Sequence, residues 1–184
     1  LHMVLPSPSD ALLDQIRALA QAGHTSVKIF MSLSSFDRSA AGYLAAMRTA
    51  GEAGMITLVH CEDFPILAAA TRAMVAQGKR ALSHFADTRP VAAEAAATER
   101  AVAWSEATGA PLYVVHVSSQ RALNTVAEAR QRKAAVYAET RPLYLALTKE
   151  RYAGPDGALY VAQPPLRDQS DVAALWAGLA EGTV

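Results

Sequence analysis

The chain has 184 residues, enough for one globular core and short of the roughly 250 that a complete (β/α)8 barrel typically needs. Its composition is 52% hydrophobic, and 17 basic residues balance 17 acidic ones, so no general electrostatic pull on nucleic acid or an anionic membrane is expected. A single cysteine, Cys61, excludes an internal disulfide, no apolar run approaches the roughly 18 residues of a membrane span, and no signal-peptide pattern stands at the N-terminus; the expectation is a cytoplasmic protein.

His2-Met3 reads as the scar of an expression tag, or residues 1–5 equally as the end of a strand. After Pro6-Ser7-Pro8, Ser9 can cap a helix whose Leu12, Ile16 and Leu19 form one apolar stripe and which Gly23 stops. Residues 26–31 form a strand with Lys28 set among apolar neighbours, and a polar loop follows to residue 38. A second helix begins at Ser39, carries Tyr43, Leu44 and Met47 on one side, and ends between Gly51 and Gly54. The strand over 55–62 places His60 near its end.

Residues 62–77 are mostly helical, with Pro65 near the start and Gly78 past the end. Residues 79–89 read as a polar loop containing His84. Pro90 opens a long Ala-rich helix that reaches Thr108, with Gly109 as its stop. The run 112–119, Leu-Tyr-Val-Val-His-Val-Ser-Ser, lacks polar alternation and reads as a strand covered on both faces, with His116 near its tip. A helix over 120–133 leads to a strand over 135–140. Residues 143–148 are apolar and ambiguous, Gly154-Pro155-Asp156-Gly157 is a turn, and Gln163-Pro164-Pro165-Leu166-Arg167 is a rigid extended turn. Asp168 or Ser170 can cap a last helix bearing Val172, Leu175, Trp176 and Leu179. It closes on Gly182, where the rhythm of the chain calls for another strand.

Regular alternation of strand and helix predicts a parallel sheet with right-handed crossovers, either open and doubly wound or a barrel. No G-x-G-x-x-G or G-x-x-x-x-G-K-[ST] follows any strand, which removes the main support for the nucleotide-binding versions. The barrel is the favoured architecture.

His60 and His116, at matching strand ends, can converge above the sheet, and neutral imidazole is the commonest metal ligand. Lys28 within an apolar strand either has a lowered pKa, which opens covalent chemistry or service as a modified metal ligand, or reaches solvent with its head. Glu62 and Glu139, each just past a strand core, are candidates for orienting ligands or for acid–base work, and equally for capping the next element. His84 reads as a surface residue, and His2 and His24 receive no role. Cys61 points to the opposite strand face from His60, and no G-x-S-x-G elbow supports a serine hydrolase.

Taken together, Gly23-His24-Thr25-Ser26-Val27-Lys28-Ile29-Phe30-Met31, Leu58-Val59-His60-Cys61-Glu62, Tyr113-Val114-Val115-His116-Val117-Ser118-Ser119, Glu139-Thr140-Arg141-Pro142-Leu143-Tyr144-Leu145 and Pro164-Pro165-Leu166-Arg167 resemble, in order and spacing, the dihydropyrimidinase and hydantoinase branch of the amidohydrolase superfamily. The resemblance implies an incomplete TIM-type (β/α)8 barrel, with residues 1–184 as the central part of one barrel domain, roughly strands four to seven, truncated at both ends. It implies two divalent metal ions, zinc in the usual case, bridged by a carboxylated Lys28, with His60 and His116 binding the second metal, and a metal-bound hydroxide that opens a small cyclic amide. It also implies a homotetrameric enzyme.

The departures concern the rest of that pattern. The His-x-His pair expected to hold the first metal is missing, and the aspartate expected to act as ligand and proton shuttle would lie beyond Val184. Leu33 stands where the family usually has a tyrosine that donates to the reacting carbonyl, and Gln163 where a serine commonly precedes Pro-Pro-Leu-Arg; both are candidate substrate-binding positions. A non-catalytic scaffold protein that keeps the same barrel is the competing expectation, and Leu33 is mildly in its favour.

Overall fold

A computed structural model describes residues 1–184. Its elements in chain order are β1 (Met3–Val4), α1 (Asp10–Gln21), β2 (Ser26–Phe30), α2 (Ala40–Glu52), β3 (Ile56–His60), α3 (Phe64–Ala76), α4 (Phe85–Thr88), α5 (Val91–Thr108), β4 (Leu112–Val114), α6 (Gln120–Gln131), β5 (Val136–Ala138), α7 (Pro142–Ala146) and α8 (Gln169–Ala180). Short 3-10 turns fill the remaining bends. No helix is long and apolar enough to cross a membrane.

The five strands are parallel and lie in the order β1-β2-β3-β4-β5, without reversal. An open doubly wound sheet reverses its order at a switch point, whereas this winding runs in one direction, as in a barrel wall. The helices follow the same sequence: α1 packs on α2, α2 on α5, α5 on α6 and α6 on α8. The doubly wound alternative therefore fails for these strands. Residues 3–4 pair with β2 as a short strand, in line with the strand reading of the N-terminal run.

The period-two alternation of the strands divides the sheet into two unlike faces. Val27, Ile29, Met31, Val59, Cys61, Leu112, Val114 and Val136 join Ile16, Met47, Ala97 and Val102 in one buried core against the helices. The other face carries Lys28, Leu58, Tyr113 and Tyr137, which share one row across β2, β3, β4 and β5. Lys28 and Tyr113 there are half-buried, and Tyr137 is exposed. The run 112–119, expected to be covered on both faces, is buried except at the half-buried Tyr113, whereas Tyr137 leaves the neighbouring strand open on this face.

Local chemistry sets most boundaries. Ser9, Asp63 and Ser119 accept from Leu12, Ile66 and Ala122 backbone N–H groups at the starts of α1, α3 and α6, and Asp168, not Ser170, caps α8 in a capping box with Asp171. Gly109, at φ 69°, closes α5 in the left-handed conformation that glycine adopts without strain. Three readings change. The stretch 79–89 contains the short helix α4, the ambiguous 143–148 run falls largely within α7, and β4 stops at Val114 instead of running on to residue 119.

A Cβ added at Gly51, in α2, would stand 2.6 Å from the Cβ of Ala110 and 2.9 Å from its Cα, just ahead of β4. Gly51→Ala should therefore cost about 1–3 kcal/mol through overpacking. Urea unfolding of the whole protein reads this as a lowered midpoint, and an unchanged midpoint would show that α2 and the β4 entry part freely.

Candidate metal centre

His60 is the last residue of β3, on the half-open face, beside Phe30 in the register of β2. His116 lies two residues past β4 with φ 47°, a left-handed conformation unusual for a residue with a side chain. Such a residue costs about 1–3 kcal/mol and persists only where its surroundings hold it. Hydrogen bonds to the neighbouring strands continue on both sides of it, Val115 N–H to the Val59 carbonyl at 3.2 Å and Val117 N–H to the Glu139 carbonyl at 2.7 Å. His116 is thus a local kink that turns the imidazole towards β3.

The kink brings His116 Nε2 within 3.0 Å of His60 Nδ1, with the rings edge to face at 74°. Two zinc–nitrogen bonds of ~2.0–2.1 Å meeting at a tetrahedral angle separate their nitrogens by about 3.3 Å. The observed pair is at hydrogen-bond distance, slightly inside that spacing, with both imidazoles buried. His116 Nδ1 is buried without a hydrogen-bond partner. Burial, followed by the charges of His60 and Lys28, pushes the His116 pKa down to about 2, so the ring stays neutral and keeps a lone pair for a ligand.

The other side of His60 is fixed by a carboxylate. Its Nε2 lies 2.7 Å from Oε2 of Glu62, which is wholly buried. Arg89 closes the far side of Glu62, its Nε donating to Oε1 at 2.9 Å and its Nη2 to Oε2. Burial pushes the Glu62 carboxyl up; the hydrogen bonds from His60 and Arg89, with the Arg89 charge, outweigh it and leave it below the ordinary carboxylate value. An ionised Glu62 accepts, so His60 Nε2 carries a proton, and Nδ1 is the ring nitrogen turned towards His116.

Lys28 sits on the same face of β2, opposite Leu58, two residues before His60. It is half-buried, its Nζ lies 5.1 Å from the centre of the Phe30 ring, and burial lowers its pKa to about 8. No hydrogen bond ties it to either histidine, although its charge is felt at His116. Cys61 belongs to the opposite face: it is buried, its Sγ lies 3.7 Å from the Val59 carbonyl, and burial pushes the thiol up to about 12. Glu139 accepts from the Tyr113 hydroxyl at 3.3 Å. His84 pairs with Asp87 at the surface, and His2 with Ser26. Leu33 is 40% exposed in the turn after β2, and Gln163 is exposed ahead of Pro164; neither shares a hydrogen bond with the histidines. No group of three or more His, Cys, Asp or Glu side chains is arranged to hold a metal. The two imidazoles and the amine fit a metal as part of a ligand set.

A second polar cluster escaped sequence reasoning. Glu94 of α5 accepts from the backbone N–H and the hydroxyl of Ser118, both at 2.7 Å. Arg167 donates from Nε to the Ser118 hydroxyl at 3.0 Å, from Nη2 to Glu94 at 3.2 Å, and from Nη1 to the Arg89 carbonyl at 2.5 Å. All three side chains are at least nine-tenths buried. A lone glutamate among Ala93, Ala95 and Ala97 was the one sequence mark that could have pointed to it.

No family model matches the chain. A D-hydantoinase of Ralstonia pickettii is 35% identical over 184 residues, which cover 98% of this chain and 40% of the relative. The structure superposes on a D-hydantoinase from Bacillus sp. AR9 with a TM-score of 0.94 at 36% identity, and on a dihydropyrimidinase from Brevibacillus agri with 0.93 at 35%. Each of these covers 100% of this chain and 41% of the solved one. The chain thus spans about 40% of the length of the relatives it matches.

Removing Arg89 leaves the Glu62 carboxylate buried without its cation. Arg89→Met in the whole protein should cost about 3–5 kcal/mol, whereas Glu62→Met combined with Arg89→Met should cost clearly less, because no buried charge then remains unpaired. Thermal or chemical unfolding of the two variants checks this; equal losses would show that Glu62 finds another partner.

Proposed function

We propose that this chain, which belongs to the hydantoinase branch, forms the middle of a metal-dependent hydrolase that opens the ring C–N amide bond of a small cyclic amide such as a dihydropyrimidine, a hydantoin or a related cyclic ureide. On this reading residues 1–184 lie within one barrel domain, with β2 to β5 as its strands four to seven and β1 ahead of them. The observation that carries the reading is the facing pair of His60 Nδ1 and His116 Nε2 at 3.0 Å, with His60 held in orientation by Glu62.

Lys28, His60 and His116 would hold metal. A lysine with a pKa near 8 keeps a usable fraction of neutral amine at neutral pH. That amine can add to carbon dioxide: the nitrogen forms the new C–N bond, one N–H proton leaves to solvent, and the product is an anionic carbamate with oxygen donors. A divalent pair bound there, most simply zinc, would acidify a water and polarise the amide carbonyl. Glu62 and Arg89 hold His60 in orientation, and burial keeps His116 neutral. Leu33 and Gln163 would face the substrate; Leu33 offers an apolar wall and no hydroxyl donor, so the carbonyl oxygen draws its stabilisation from elsewhere in the site. Water adds to the carbonyl carbon, the ring C–N bond breaks, and the departing nitrogen takes a proton. The same reading makes the whole protein a cytoplasmic homotetramer. A non-catalytic scaffold has no use for two buried imidazoles brought nitrogen to nitrogen and is the weaker reading.

Four measurements test this. Metal analysis of the whole protein should find divalent metal, and native mass spectrometry should find one carbon dioxide on Lys28; a metal-free protein with unmodified Lys28 sinks the proposal. Lys28→Ala should lower kcat/KM on a cyclic amide by more than about a thousandfold, since metal-ion catalysis contributes several kcal/mol. The 184-residue chain alone, lacking the remaining ligands, should show no metal-dependent turnover, and measurable turnover would contradict the partial-site reading.

A further inference from the structure

We propose that Glu94, Ser118 and Arg167 are positioning residues for the histidine pair, holding the His116 kink so that its Nε2 stays against His60 Nδ1, and that metal retention therefore depends on Arg167. The inference rests on the metal-binding reading above.

The kink at His116 lies outside the strand, so β4 itself does not fix it. The backbone beyond the kink is pinned at each residue. Val117 N–H goes to the Glu139 carbonyl, and the Val117 carbonyl accepts from the Thr140 hydroxyl at 2.7 Å. Ser118 gives both its donors to Glu94, and Ser119 caps α6. Glu94 is the only carboxylate in this set. It is buried on the Ala face of α5, and its cation is Arg167.

Arg167 also joins the two arms that lead away from the histidines. One arm runs from His60 through Glu62 to the Arg89 side chain. The other runs from His116 along the backbone to Ser118 and Glu94. Arg167 bonds Glu94 and Ser118 on the second arm and the Arg89 carbonyl on the first, closing a ring of hydrogen bonds around the site. It does so from a turn 49 residues beyond Ser118 and 78 beyond Arg89. A buried ion pair gains little over apolar packing of the same shape, so the effect of this one is to fix geometry. Arg supplies that geometry because its planar fork donates in three directions from one rigid group.

The test uses the whole protein, reloaded with cobalt(II) or zinc, with Arg167→Met, Arg167→Lys, Ser118→Ala and, as a control on the neighbouring surface pair, Lys149→Met. Arg167→Met should weaken metal retention about 10- to 100-fold against a competing chelator and alter the cobalt absorption spectrum. Arg167→Lys, which restores charge and part of the donor set, should recover some of that affinity. Ser118→Ala, which leaves the Glu94–Arg167 pair intact, should give a smaller loss in the same direction and keeps the test valid if Arg167→Met fails to fold. Lys149→Met should match the parent in both readouts. Variants that melt earlier yet keep the parent's chelator resistance and cobalt spectrum overturn the positioning role and leave the functional reading standing. A parent protein that binds neither metal overturns both.

Discussion

The Glu62 carboxylate is wholly removed from water, and an ion in that position survives only with partners on every side. His60 takes one oxygen and Arg89 reaches both. The orientation of His60 is a consequence, because the acceptor at Nε2 turns Nδ1 towards His116. So is the placement of Arg89 just before α5, since the guanidinium has to reach under the sheet end while Pro90 starts the helix. The imidazole that faces His116 is therefore oriented by a charge that itself takes no part in the pair.

The sheet supplies the other half of the arrangement. A single direction of winding puts the C-terminal ends of β2, β3 and β4 side by side at one edge, and the two-residue alternation puts Lys28 and His60 on the same face while sending Cys61 into the helix-side core. That face is the less covered one, with Tyr113 half-buried and Tyr137 exposed. A face lined by an amine, two imidazoles and tyrosines is unsuited to a dry core and suited to a polar interior of the kind a barrel encloses at its mouth.

Much of this was legible in the sequence, for local reasons. Apolar runs marked β2 to β5, and Ser9, Asp168, Gly109 and Pro90 marked helix ends, because caps act within a turn of their own residue. The histidines stood out by their matching places after two such runs. The kink at His116 did not, because Val115 and Val117 are β-formers and no glycine marks the left-handed residue; a straight strand was the natural reading. Arg89, Glu94 and Arg167 were invisible as a set since their partners lie 24 to 78 residues away in sequence, and only the packed fold brings them together. The helices α4 and α7 are too short for periodicity to show.

Charge balance explains why Lys28 is the residue on which the proposed chemistry turns. The two buried glutamates near the site are already matched, Glu62 by Arg89 and Glu94 by Arg167. The His116 ring is held neutral by its burial. Cations drawn to this face would therefore meet neutral nitrogen donors and no spare anion among the proposed ligands, and a protonated Lys28 would repel them. Burial weakens that repulsion by bringing the amine down to about 8, and carbamate formation reverses its sign, replacing a cation by an anion at the same backbone position. A lysine kept in a strand between apolar neighbours thus has a physical reason to be modified, and the modification supplies the one charge that the facing imidazoles lack.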